Sequence, residues 1–84
     1  MNPMHFIYIL QSLKDRRTYV GCSHDVQNRL ARHNAGQVPA TPNRRPLKLI
    51  FSESFETEKE AKQRELYWKS GAGRRKMKSL FGSN

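Results

Sequence analysis

The sequence holds one cysteine, Cys22. A single thiol cannot close an internal disulfide, so the fold cannot depend on one and needs no oxidising compartment. Long apolar runs are also lacking. The longest, Phe6 to Leu10, is far shorter than the roughly 20 residues of a membrane-spanning helix or the core of a secretion signal. A cytoplasmic location and no membrane partner are therefore expected. Acidic residues are scarce and unevenly placed. Seven Asp and Glu face sixteen Lys and Arg, a net charge of +9. No acid falls between Val26 and Ser52, where Arg29, Arg32, Arg44, Arg45 and Lys48 stand. None follows Glu65 either, although Lys69, Arg74, Arg75, Lys76 and Lys78 do. Such segregation argues against a uniform coat of charge and predicts a positive surface, whose commonest partner is a phosphate backbone. Length is short as well. The 84 residues predict one domain, 1–84, with a core too shallow for an enclosed pocket, which favours an open groove and a polymer substrate.

The chain reads as ββαβαα. His5 to Gln11 is a strand with both faces apolar, Phe6, Tyr8 and Leu10 on one and Ile7 and Ile9 on the other, the mark of a strand covered on two sides. A polar turn leads to a second strand, Thr18 to Cys22, which forms a hairpin with the first. Ser23 or Asp25 caps a helix that runs to about Asn34, and Gly36 stops it. A proline-rich loop over 37–46 precedes a third strand, Leu47 to Phe51, extending toward Phe55. Thr57 and Glu60 form a capping box for a helix that reaches about Ser70. Gly71 and Gly73 are expected to break it, and Arg74 to Phe81 to form a short last helix with Met77, Leu80 and Phe81 inward. The fold class is α+β, a small, mainly antiparallel three-stranded sheet flanked by helices.

Both longer helices carry ionisable groups where apolar ones belong. Val26, Arg29, Leu30 and His33 share one face of the first, and Ala61, Glu65 and Trp68 share a face of the second. A carboxylate there is costly to bury unless it is paired or holds a cation. The two hairpin strands add Tyr8 and Tyr19. Phosphodiester hydrolysis needs a proton acceptor for water, positive charge against the developing charge on phosphorus, and a hard cation on oxygen ligands. This set of residues supplies all three. Cys22 and His24 would give two zinc ligands, but no second pair stands at usable spacing, so zinc is not expected.

The ordered set resembles the GIY-YIG nuclease superfamily. Phe6-Ile7-Tyr8 matches its first motif and Tyr19-Val20-Gly21 its second. Arg29 follows Tyr19 by ten residues and His33 comes one helical turn later. The segment FETEKEAKQRELYWKSGAGR resembles the later part of the family, in which Glu65 takes the metal-ligand position. The likeness runs from Phe6 to about Lys78 and is greatest to short stand-alone bacterial members, akin to the N-terminal nuclease domain of the bacterial excinuclease incision subunit. The first motif has Phe6 in place of its glycine. The asparagine that larger members carry downstream of the glutamate has no counterpart before Asn84, and no second domain that would find a target is expected.

The resemblance implies a divalent-metal-dependent endonuclease that nicks one DNA strand, in repair or recombination. One Mg²⁺ or Mn²⁺ would sit on Glu65, and Tyr8 would be the general base, its pKa lowered by Arg29 and the cation. Tyr19 would orient the water or hold the phosphate, Arg29 would stabilise the pentavalent phosphate, and His33 would assist by hydrogen bonding or proton transfer. Gly21 would let the substrate backbone approach. Arg44, Arg45, Lys69, Arg74, Arg75 and Lys76 would contact that backbone, with DNA the expected partner and RNA left open. Breaking both strands would need two copies or two events, so a homodimer or a larger complex stays open too. The alternative is a catalytically weak nucleic-acid-binding module of the same fold.

Overall fold

The computed structural model describes residues 4–38 and 44–82, so the centre of the expected 37–46 loop lies outside the described residues. The elements follow the order β1 (His5–Ser12), β2 (Thr18–Ser23), α1 (Val26–Asn34), β3 (Leu47–Phe55), α2 (Glu58–Lys69) and α3 (Gly71–Phe81). β1 lies between β2 and β3 and pairs antiparallel with both. It is therefore the strand most fully covered, and Ile7, Tyr8, Ile9 and Leu10 are all buried.

The period-2 alternation of β1 divides the core in two. Ile7 and Ile9 pack with Val20, with Ala61 and Trp68 of α2, and with Met77 of α3. Tyr8 and Leu10 pack with Leu47, Tyr19, and Val26 and Leu30 of α1. The helices α1 and α2 thus cover opposite faces of the sheet. β3 serves both faces because it changes phase. Its register against β1 steps from Ile9–Phe51 to Leu10–Leu49, which leaves Ile50 as the extra residue of a bulge. Leu47 and Leu49 consequently join the Tyr8 face while Phe51 and Phe55 join the other.

Local chemistry sets the helix ends. The Asp25 carboxylate accepts from the Asn28 N–H (3.0 Å) and caps α1, while Ser23 Oγ accepts from the Asp25 N–H (3.1 Å) and steadies the cap. At the other end Asn34 clamps α1 to β3. Its Nδ2 donates to the Leu47 carbonyl (3.0 Å) and its Oδ1 accepts from the Leu47 N–H (2.7 Å). The Thr57 hydroxyl accepts from the Glu60 N–H (3.2 Å) at the start of α2.

The junction after α2 differs from the sequence expectation. Gly71 and Gly73 do not form a break; they occupy the first turn of α3, and Ser70 both ends α2 and caps α3. Gly73 is needed there because a Cβ on it would lie 2.1 Å from the Tyr67 carbonyl oxygen and 2.6 Å from the Trp68 Cα. The two helices therefore meet backbone to backbone, an approach that only glycine permits. Met77 and Phe81 face inward as expected, but Leu80 is 55 % exposed.

Candidate active site

Tyr8 is the centre of the α1 face. It projects from the middle strand and is 1 % exposed. Its partner across the hairpin is Gly21. A Cβ built on Gly21 would lie 2.4 Å from the Tyr8 hydroxyl oxygen. The space on the Cβ side of Gly21, a residue expected to let the substrate backbone approach, is filled by the Tyr8 ring. Glycine is required so that the phenol can reach across β2, an edge strand.

α1 brings two groups to that phenol. His33 is fully buried, and its Nε2 lies 3.2 Å from the Tyr8 oxygen. Burial, and after it the charge of Arg29, hold the His33 pKa below the ordinary value of 6.5, so the ring is neutral near pH 7. Arg29 acts on the Tyr8 oxygen by hydrogen bond and charge, and the phenol shares a hydrogen bond with Nε2 of His33 whose direction follows the His33 tautomer. Tyr19 completes the group. Its ring centroid is 4.9 Å from that of His33 and 6.4 Å from that of Tyr8. Arg29 is only partly covered, yet its Nε is buried without a hydrogen-bond partner among the described residues. A donor of this kind is open to an oxygen acceptor, from water or from a ligand.

Without the cation, the Tyr8 hydroxyl is shifted upward, the opposite direction to the one expected from Arg29 and a cation together. Burial is the largest influence on it and raises its pKa above 10.0. The Arg29 hydrogen bond and charge act downward, but Tyr19 and Glu65 add to the rise, and the net direction is up. Arg29 thus does what was expected of it and is outweighed by desolvation.

Glu65 comes from the other side of the sheet. α2 packs against the Ile7 face and against β2, so the two helices do not aim at one shared groove. Even so, the Glu65 carboxylate is near enough for its charge to raise the pKa of both Tyr8 and Cys22. Its side chain is 18 % exposed, and its Oε2 accepts from Lys69 Nζ at 2.8 Å. The structure therefore brings Tyr8, Tyr19, Arg29 and His33 together on one face, while Glu65 stands on the helix of the other face and acts on Tyr8 through its charge.

A groove of about 710 Å³ runs beside this site, bounded by Thr18, Tyr19 and Val20 of β2 and by α3. Four of the six basic residues expected to meet a nucleic acid line it, namely Arg44, Lys69, Arg74 and Arg75. Arg17 and Lys78 line it too, and sequence reasoning missed both. For Lys78 the signal was available, since positions 74, 75 and 78 share a helix face. Arg17 sits in the hairpin turn, where no periodicity marks it. Lys76 is exposed on α3 outside the groove, and the Arg45 guanidinium lies against Gly36 instead. Arg44 is held at the groove by Ser12, whose buried hydroxyl donates to the Arg44 carbonyl (2.7 Å).

Comparison with known proteins agrees with this arrangement. A model of the GIY-YIG catalytic domain matches residues 4–78. The chain is 42 % identical over 78 residues to the UPF0213 protein YazA of Bacillus subtilis, covering 92 % of this chain and 76 % of that protein. It is 39 % identical over 77 residues to the UPF0213 protein SSP2268 of Staphylococcus saprophyticus, covering 90 % and 93 % respectively. The solution NMR structure of the UPF0213 protein BH0048 from Bacillus halodurans superposes with a TM-score of 0.55 at 32 % identity, covering 94 % of this chain and 86 % of that one. A small antiparallel sheet in the order ββαβαα, with both tyrosine motifs in register on its hairpin, belongs to the GIY-YIG family of nucleases, and this chain is a member of it.

Proposed function

We propose that the protein is a divalent-metal-dependent endonuclease that nicks one strand of DNA. The observation that carries this reading is the buried Tyr8 hydroxyl, held between the Arg29 guanidinium and Nε2 of a neutral His33. A buried phenol needs some hydrogen-bond partner in any case, but an imidazole and a guanidinium together go beyond what packing asks.

The donor set fits a hard cation held mainly by substrate and water. No group of three or more His, Cys, Asp or Glu converges among the described residues, which does not suit an all-protein cage. Glu65 is a single, partly covered carboxylate that already accepts a cationic partner, and Mg²⁺ or Mn²⁺ is commonly bound by one or two carboxylates together with phosphate oxygens. When bound, the ion would supply Lewis-acid stabilisation of the phosphoryl oxygens.

The residues of the α1 face divide the remaining work. As the Tyr8 oxygen takes a proton from water, its own proton passes to Nε2 of His33, so no free phenolate need accumulate. The cost then falls on His33, whose charged form burial and Arg29 also disfavour, and not on a free phenolate. Arg29 faces the phosphate and gains attraction as negative charge builds on it. Tyr19, partly exposed beside the groove, orients the water or holds the phosphate. The basic groove takes the strand backbone.

Incubation of purified protein with supercoiled plasmid and Mg²⁺ or Mn²⁺ tests the reading. Open circles should form with wild type and not with Glu65→Ala. Salt-dependent DNA binding without incision in either protein would point to the non-catalytic module. Participation in repair or recombination rests on the resemblance to the excinuclease nuclease domain, and incision of damaged or branched DNA in preference to plain duplex would support it.

A further inference from the structure

Lys69 stands at the boundary between two features of the proposed reaction. Its Nζ lies 2.8 Å from Glu65 Oε2, and its side chain also lines the basic groove with Arg74 and Arg75. Glu65 is more covered than its partner, with 18 % of the side chain exposed against 49 % for Lys69. A partly buried carboxylate needs a compensating charge. In the protein without a metal, Lys69 provides it. A divalent ion seeking the same oxygen must displace that ammonium, whose flexible four-carbon stem can turn it elsewhere. The groove it already lines is the adjacent place where an ammonium would meet phosphate.

We propose that Lys69 is a placeholder that exchanges between the Glu65 carboxylate and a backbone phosphate, so that cation binding and nucleic-acid binding assist each other. The inference rests on the reading that Glu65 holds the divalent ion. Two consequences follow. The ion frees Lys69 for the strand, and a strand in the groove draws Lys69 away and clears Glu65 for the ion. The coupling is reciprocal because it is a free energy shared by two binding equilibria. Lys69 is in this sense a positioning residue: it touches the backbone but not the reacting atoms.

Removing any nearby positive charge would strengthen cation binding somewhat, so the test must separate exchange from a simple field effect. Mn²⁺ binding is measured by calorimetry for the wild-type, Lys69→Gln and Glu65→Ala proteins. Each is titrated alone and with a phosphorothioate duplex that resists hydrolysis. Lys62→Gln, a charge removal on the same helix outside the groove, serves as control. Without DNA, Lys69→Gln should bind Mn²⁺ about two- to fivefold more tightly than wild type, the scale of an exposed ion pair. With DNA that ratio should fall to near one, while any smaller effect of Lys62→Gln stays the same. A Lys69→Gln advantage that is equal with and without DNA, or absent in both, overturns the exchange. If in those cases Mn²⁺ binding is still lost in Glu65→Ala, the metal role of Glu65 survives. Mn²⁺ binding no stronger in wild type and Lys69→Gln than in Glu65→Ala overturns both.

Discussion

The Tyr8 hydroxyl and Nε2 of His33 meet at 3.2 Å between elements 25 residues apart in sequence, inside a face that also carries Val26 and Leu30. A helix position that could hold another apolar group holds an imidazole instead. That imidazole meets the Tyr8 hydroxyl, and its burial has a consequence for stability. The His33 pKa is lower in the folded protein than the ordinary 6.5 of an exposed histidine. Between those two values the unfolded chain binds a proton that the folded chain does not. Stability from this group is therefore complete above about pH 6.5 and is lost as the pH falls from there toward the folded value. Urea midpoints measured from pH 8 down to pH 5 should show this decline in wild type and a shallower one in His33→Gln. Equal slopes would contradict it.

On the proposed proton relay, the same burial should set the pH range of activity. His33 should remain a competent proton acceptor at pH values where an exposed histidine is already half protonated. The acid limb of the nicking rate, measured at saturating metal and DNA, is expected to lie below pH 6.5. An acid limb well above 6.5 would mean that another group accepts the proton.

Gly21 and Tyr8 should behave as a pair. Gly21→Ala places a methyl group 2.4 Å from the Tyr8 hydroxyl and 2.5 Å from the ring carbon that carries it. Overpacking of this kind costs about 1–3 kcal/mol, and nicking should fall with it because the phenol is displaced from His33. In a Tyr8→Leu background, which removes the clashing atoms, Gly21→Ala should cost distinctly less. Additive effects in that double-mutant cycle would show that the glycine serves some other purpose.

The two glycines of α3 should respond in opposite ways. Gly73→Ala drives a methyl group into the backbone of Tyr67 and Trp68, which no rotamer change can relieve, so a loss of about 2 kcal/mol or more is expected. Gly71→Ala meets only the Arg75 side chain at 3.5 Å, and alanine's better helix propensity makes it neutral or stabilising by up to about 1 kcal/mol. Thermal melts of the two variants decide the matter; similar losses would mean that the helix junction is looser than described.

The groove can be read through salt. Each Arg or Lys that meets a phosphate contributes about one to the slope of log affinity against log salt. The double variant Arg74→Gln/Arg75→Gln should lower that slope by about two, while Lys59→Gln, on the exposed side of α2, should leave it unchanged. A slope unaffected by the Arg74 and Arg75 changes would place the strand elsewhere.

Much of the fold is legible in particular stretches. The apolar run Phe6 to Leu10 reads as a strand covered on two faces, and the capping box at Thr57 marks the start of α2. The Ile50 bulge is not legible, because a period-2 pattern cannot say where an extra residue lets β3 change faces. The glycines after Ser70 mislead, since propensity counts them as helix breakers and takes no account of how closely two helices must approach. The candidate site is legible in the same uneven way. Tyr8, Tyr19, Arg29 and His33 follow from strand and helix spacing. Spacing also puts Glu65 with Ala61 and Trp68, but it does not reveal that α2 covers the opposite face from α1. The direction of the Tyr8 pKa is hidden as well. It depends on how much water the folded chain excludes, against which one nearby arginine is not enough.

The most direct test is the single-turnover nicking rate of Tyr8→Phe beside wild type, with folding of the variant verified by circular dichroism. The substitution keeps the ring over Gly21 and removes only the oxygen between Arg29 and His33. The rate should fall by about 10²–10⁴, the range for loss of a general acid–base group, with DNA binding retained. A Tyr8→Phe protein that nicks within a factor of about two of wild type would show that the reaction does not pass through this hydroxyl.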